Sequence, residues 1–176
     1  FYVTDTGNRR VVGWRGQPKP GQKPDLILGQ SAPDQRLENR GDRVAADTFR
    51  WPHAIAGNST ALYVADAGNH RVLGWSPHPT ADSPATQLLG QPNFADAQEW
   101  PYGPQAANRL RFPYAIALDE DCLAVADTAN NRVLFWSWPL VEEIAAAAVG
   151  VIGQLDFTAN GENRWKAVTH DTLCWP

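Results

Sequence analysis

Apolar residues in this chain come in short β-branched and aromatic runs bounded by Gly, Pro, Asn and Asp, the pattern of strands rather than helices. In the central stretch, Ala54–Ala56 follows Trp51-Pro52, and Leu62–Asp66, Arg71–Trp75 and Gln87–Gln91 come after it. Between the second and third of these runs lies Ala67-Gly68-Asn69-His70, a short hairpin loop of residues suited to positive φ. A 3.6-residue apolar period is absent except over Leu140–Val149, where Val-Glu-Glu-Ile-Ala is compatible with one or two helical turns. The expectation is four antiparallel strands per unit.

The unit recurs. Phe1–Trp14, Leu62–Trp75 and Leu123–Trp136 are three versions of one phrase, and Asp5, Asp66 and Asp127 are evenly spaced along the chain. Gly29-Gln30 and Trp51-Pro52 recur at that same spacing as Gly90-Gln91 and Phe112-Pro113. Their third copies, Gly153-Gln154 and Trp175-Pro176, come two positions later than the spacing dictates. The two extra residues lie between Asp127 and Gly153, in a stretch that reads as a loop. A fixed period of this length marks a repeat architecture, with units of approximately 1–61, 62–122 and 123–176. Four short antiparallel strands per repeat is the composition of a propeller blade.

Each unit carries an Asp-x-x-Asn-x-Arg frame: Asp5, Asn8 and Arg10; Asp66, Asn69 and Arg71; Asp127, Asn130 and Arg132. The aspartate is placed to accept hydrogen bonds from the amides of the following turn, the asparagine suits a left-handed conformation, and the arginine lies across the hairpin from the aspartate. Ala129 stands where the other units have Gly7 and Gly68, so the turn does not depend on glycine there. Trp14, Trp75 and Trp136 recur at one position, which points to packing between neighbouring units.

The pattern Trp/Phe-Pro-x-Ala-Ile-Ala, then Leu-Tyr-Val-Ala-Asp-x-x-Asn-x-Arg-Val, closely resembles the NHL repeat of β-propeller proteins, and the likeness covers nearly the whole chain. It departs from the family at Ala54 and Ala115, where glycine is usual, and in about twenty residues inserted before each Trp/Phe-Pro. The resemblance implies an all-β fold, an incomplete ring of four-stranded antiparallel blades. NHL propellers are typically six-bladed, so this chain is expected to be a fragment of a longer ring; a half-ring completed by a homodimer partner is the alternative.

The formal charge of −4 weighs against the basic face that nucleic-acid binding requires. In the first insertion Arg36, Arg40, Arg43 and Arg50 interleave with Asp34, Glu38, Asp42 and Asp47, which reads as a self-paired loop. No run of apolar residues is long enough to span a membrane. Cys122 and Cys174 are too few for a disulfide framework. The Trp-, Pro- and Asn-rich composition leans towards an exported protein.

In a propeller the hairpin loops would share one face with the insertions Ser31–Arg50, Pro92–Arg111 and Leu155–Cys174, building a rim. Parts of the insertions repeat (Phe94 with Phe157, Asp47 with Asp171), which favours an architectural role for them. Ligand-binding candidates are the residues that vary inside the constant frame: His53 and Tyr114 after the Trp/Phe-Pro, and Arg9, His70 and Asn131 in the hairpin loops. The favoured function is a binding scaffold for a protein, peptide or glycan partner, with Trp100, Tyr102 and Trp165 as further contact residues and no cofactor. The alternative is a metal-dependent lyase or lactonase-like hydrolase with its site in the central channel. That chemistry needs converging carboxylates or imidazoles, of which the first strands offer only His53.

Overall fold

The computed structural model describes residues 1–100, 104–141 and 143–176, so Tyr102 and Glu142 lie outside the described residues. Among the described residues the chain is all-β, with three antiparallel sheets, none closed into a barrel. The first holds β1 (Tyr2–Asp5), β2 (Arg10–Gly13) and β3 (Leu26–Leu28). The second holds β4 (Pro52–Gly57), β5 (Leu62–Asp66), β6 (Arg71–Trp75) and β7 (Gln87–Leu89). The third holds β8 (Pro113–Leu118), β9 (Cys122–Asp127), β10 (Arg132–Ser137) and β11 (Gly150–Ile152). Within each sheet every strand pairs with the next in sequence. The frame aspartate and arginine face each other in register in all three hairpins: Asp5 opposite Arg10, Asp66 opposite Arg71, Asp127 opposite Arg132.

The last strand of each sheet is shorter than the apolar run suggests, because the following glycine is left-handed. Gly29, Gly90 and Gly153 have φ of +88°, +92° and +86°. A Cβ on Gly90 would lie 2.8 Å from Leu110 and 2.9 Å from the His70 carbonyl, so no other residue fits there without strain.

Two apolar clusters join the sheets. Val11 and Leu28 of the first sheet meet Leu62, Val64, Leu73 and Trp75 of the second. Tyr63, Val72 and Leu89 of the second meet Leu123, Val125, Leu134 and Trp136 of the third. Trp75 and Trp136 thus pack between their own sheet and the preceding one, each donating its indole N–H to a backbone carbonyl, of Ser83 and Ala146.

Among the described residues Leu140–Val149 forms no helical turn. It runs extended along the outer edge of the second sheet: the Leu88 N–H donates to the Glu143 carbonyl (2.7 Å), Ala145 N–H returns to the Leu88 carbonyl (2.8 Å), and Leu88 and Ile144 form a parallel bridge. Ala146 and Ala148 are drawn into the core. Burial of small side chains against a neighbouring sheet overrides a weak helical pattern here. The corresponding loop one unit earlier flanks the first sheet, where Asp82 accepts from Gly29 N–H (3.3 Å) and Ala85 N–H donates to the Ala46 carbonyl (2.8 Å). Each of these loops thereby blunts the edge of the sheet before it.

Candidate functional site

The hairpin loops are tied to the insertions by the frame residues. Asp66 and Arg71 are fully buried and joined at 2.8 Å. Asp66 takes its remaining hydrogen bonds from the Asn69 side chain (2.8 Å) and the backbone N–H of Arg50 (2.7 Å), not from the backbone amides of the following turn as its position suggests. The Arg71 guanidinium donates to the carbonyls of Ala45, Thr48 and Phe94, so one side chain anchors the insertions on both sides of its hairpin. Asp127, Asn130 and Arg132 repeat the arrangement, with Arg132 reaching the carbonyls of Ala106, Arg109 and Phe157. Burial pushes the Asp66 and Asp127 carboxyls up, and the charge of Arg71 and Arg132 pulls them back. Asp5, Asn8 and Arg10 form the same triad partly open to solvent. There burial is the largest single influence and raises the Asp5 carboxyl, but hydrogen bonds from Asn8 and Arg10 together with the Arg10 charge outweigh it and hold the carboxyl below the usual range.

The left-handed residue of each hairpin is Arg9, His70 or Asn131, with φ of +53°, +55° and +53°, rather than the asparagine before it. Glycine is not required for φ at the middle of the turn, as Ala129 implies, but it permits a closer approach. Gly68 N–H lies 2.7 Å from the Arg50 carbonyl, whereas Ala129 N–H lies 3.2 Å from that of Arg111.

His70 and Asn131 are buried rather than freely solvated. The backbone N–H of Phe112 donates to His70 Nδ1 (3.2 Å), and the N–H of Trp175 donates to Asn131 Oδ1 (3.0 Å). The two side chains perform the same task, gripping the aromatic residue of the aromatic-Pro pair that follows in the chain. His70 therefore carries its proton on Nε2, which faces Glu99 at 3.8 Å. Burial lowers its pKa to about 4, with Glu99 opposing and Arg111 and Arg50 assisting. Arg9 is half-buried, bonded to the Gly7 carbonyl and to Glu38 at 3.4 Å. Glu38 also meets Arg50 (3.2 Å), as Glu99 meets Arg111 (2.7 Å). Self-pairing of the first insertion extends to Arg40 and Asp47 (2.7 Å).

The aromatic residues of the three aromatic-Pro pairs carry a feature the residue pattern does not announce. Trp51, Phe112 and Trp175 have φ of +56°, +48° and +50°, a conformation that costs bulky side chains about 1–3 kcal/mol. The signal available in the sequence was the thrice-repeated aromatic-Pro, read as a strand start. Just beyond each of the first two lies a β-bulge: the pairing steps from Pro52 to Ala54 and from Pro113 to Ala115. The extra residues are His53 and Tyr114. Bulges re-aim side chains, and here they bring the two rings of neighbouring sheets to 4.4 Å between centroids. Tyr114 lies 6.4 Å from Phe112, which meets His70 edge-on at 4.3 Å. Three of the five candidates, His53, Tyr114 and His70, thus join one aromatic cluster; Arg9 and Asn131 occupy equivalent places in the other hairpins.

Trp100 lies under the guanidinium of Arg109 at 4.6 Å, and Trp165 is 79 % exposed. Among the described residues no three His, Cys, Asp or Glu side chains converge as metal donors, and no helix is long and apolar enough to cross a membrane. Cys122 and Cys174 are free thiols. No protein-family model matches the chain, and no curated protein matches it.

Proposed function

We propose that this chain is a run of NHL-type propeller blades that acts as a binding scaffold, engaging a protein, peptide or glycan partner through its loop-rich face. The observation that carries this reading is the His53–Tyr114 pair, with His53 exposed and Tyr114 half-buried, set by successive bulges beside left-handed aromatics. The polar groups of the central triad are consumed internally: Asp66, Asn69 and Arg71 bond one another, backbone groups and the Asn39 side chain. What the face presents outward at this point is aromatic surface with little conformational freedom to lose, which suits contact more than bond-breaking. The even spacing of the frame and the ordered pairing within each sheet support the blade reading.

The test is a side-by-side screen of the parent chain and the His53→Ala/Tyr114→Ala variant on peptide and glycan arrays, followed by affinity measurement on any hit. Neither side chain is held by the core, so the variant should keep its unfolding free energy within about 0.5 kcal/mol. Its affinity should fall by about tenfold or more, as expected for loss of paired aromatic anchors. A folded variant that binds as the parent does removes the site from the scaffold reading.

A further inference from the structure

A tyrosine ring lies over a glycine at the same place in the first two sheets. Tyr2 pairs with Gly13 and Tyr63 with Gly74, and a Cβ on either glycine would fall 2.9 Å and 2.6 Å, respectively, from the ring. The loop after the third strand of the following sheet brings one further ring to each phenol, His78 to Tyr2 and Trp138 to Tyr63. The two junctions differ in what that ring is. Tyr63 spends its hydroxyl fully, donating to Gln87 Oε1 (2.6 Å) and accepting the indole N–H of Trp138 (3.0 Å). In the first junction Leu26 stands at the register position of Gln87, and an imidazole replaces the indole.

The direction of the Tyr2 bond follows from the other end of the imidazole. His78 Nε2 lies 2.7 Å from the Asn58 carbonyl, which can only accept, so in the neutral ring Nε2 carries the proton. Nδ1 is left to accept from the Tyr2 hydroxyl at 3.2 Å. Among the described residues no donor reaches the Tyr2 oxygen, so the lone pair that Tyr63 gives to Trp138 is unspent here. The imidazole also takes less room than an indole. Stacked on Tyr2 at 5.8 Å between centroids, it leaves a pocket of about 360 Å³ whose walls include Tyr2, Gly13, Trp14, Leu26, His78 and Pro79.

We infer that this pocket is a binding site for an indole, which enters between the apolar walls and donates its N–H to the Tyr2 oxygen. Trp138 is the template: a single residue in the second junction shows both the ring and the bond that such a tyrosine accepts. Apolar and aromatic walls with one fixed polar group make a small-molecule site, and the indole N–H is the polar handle that fixes orientation in it. The site lies beside Asn58, at the opposite end of β4 from His53, and uses neither His53 nor Tyr114, so it and the proposed binding face can fail separately.

The experiment titrates the 176-residue chain with indole and, separately, with benzofuran, which has the same shape and an ether oxygen in place of the N–H. Backbone resonances are followed by NMR. Indole should give saturable shifts confined to Tyr2, Gly13, Leu26, His78 and Thr80. Benzofuran should bind about fivefold more weakly, the loss of one net hydrogen bond. Tyr2→Phe should erase that difference, and His78→Trp, which copies Trp138, should fill the pocket and abolish binding in a chain that still folds. N-acetyltryptophanamide separates the sources: tighter binding than indole marks a tryptophan side chain as the ligand, and weaker binding marks the free heterocycle. The benzofuran comparison leaves the protein untouched, so a folding defect cannot imitate it. Absent or misplaced shifts, equal binding of indole and benzofuran, or undiminished binding by folded His78→Trp overturns the inference.

Discussion

Replacing Asp66 by asparagine keeps the side chain's shape and removes its charge, and the structure sets the cost. The carboxylate accepts from Arg50 N–H, Asn69 Nδ2 and Arg71 Nε at 2.7–2.8 Å, with both Asp66 and Arg71 shut away from water. However the new amide turns, its NH2 faces a donor, so at least one buried N–H loses its acceptor, about 1–3 kcal/mol. Arg71 also keeps its charge with no counter-ion, and breaking a buried pair in this way costs about 3–5 kcal/mol in all. Asp127→Asn should cost the same, since its triad repeats the geometry. Asp5→Asn is the internal control: Asp5 and Arg10 are 28 % and 19 % exposed, water replaces what is lost, and about 1 kcal/mol is expected. Guanidinium chloride unfolding followed by tryptophan fluorescence measures all three. If Asp66→Asn costs no more than Asp5→Asn, burial is not what gives the triad its weight and the reasoning fails.

Two further outcomes follow from the hairpins. His70 has a folded pKa of about 4 against 6.5 unfolded, so its contribution is complete above pH 6.5 and is lost as pH falls towards 4, about 2 kcal/mol by pH 5. His70→Asn, which copies the acceptor at Asn131, should flatten that part of the pH–stability curve while leaving stability at pH 7.5 nearly unchanged; an unaltered acid limb would refute the assignment. Gly90→Ala meets both a left-handed φ and the Leu110 side chain, and should lower stability by about 2 kcal/mol in the same denaturant assay. A neutral outcome would mean that the β7 terminus relaxes freely.

Strand positions were legible because they depend on local chemistry. Leu62–Asp66 and Arg71–Trp75 appear as read, and the Asp–Arg pairing follows from their register. The helical reading of Leu140–Val149 failed because its alanines are chosen for the neighbouring core, whose partner strand β7 belongs to the preceding unit. The site was half legible. Variation inside a constant frame found His53 and Tyr114, but the bulges that bring them together depend on left-handed aromatics, which ordinary propensity argues against. The burial of His70 and Asn131 was hidden for a related reason: their acceptors serve the amide of an aromatic residue more than forty positions later, beyond the reach of any local pattern.

The grip of Arg71 and Arg132 on the insertions is made to carbonyl oxygens alone, and a carbonyl is common to every amino acid. The insertions can therefore diverge in side chain without losing their moorings. The chain already shows this, since Asn39 of the first insertion and Gln105 of the second both meet the frame asparagine, at Asn69 and Asn130. Such a chassis lets surface chemistry drift under selection while the chain's course over it stays fixed.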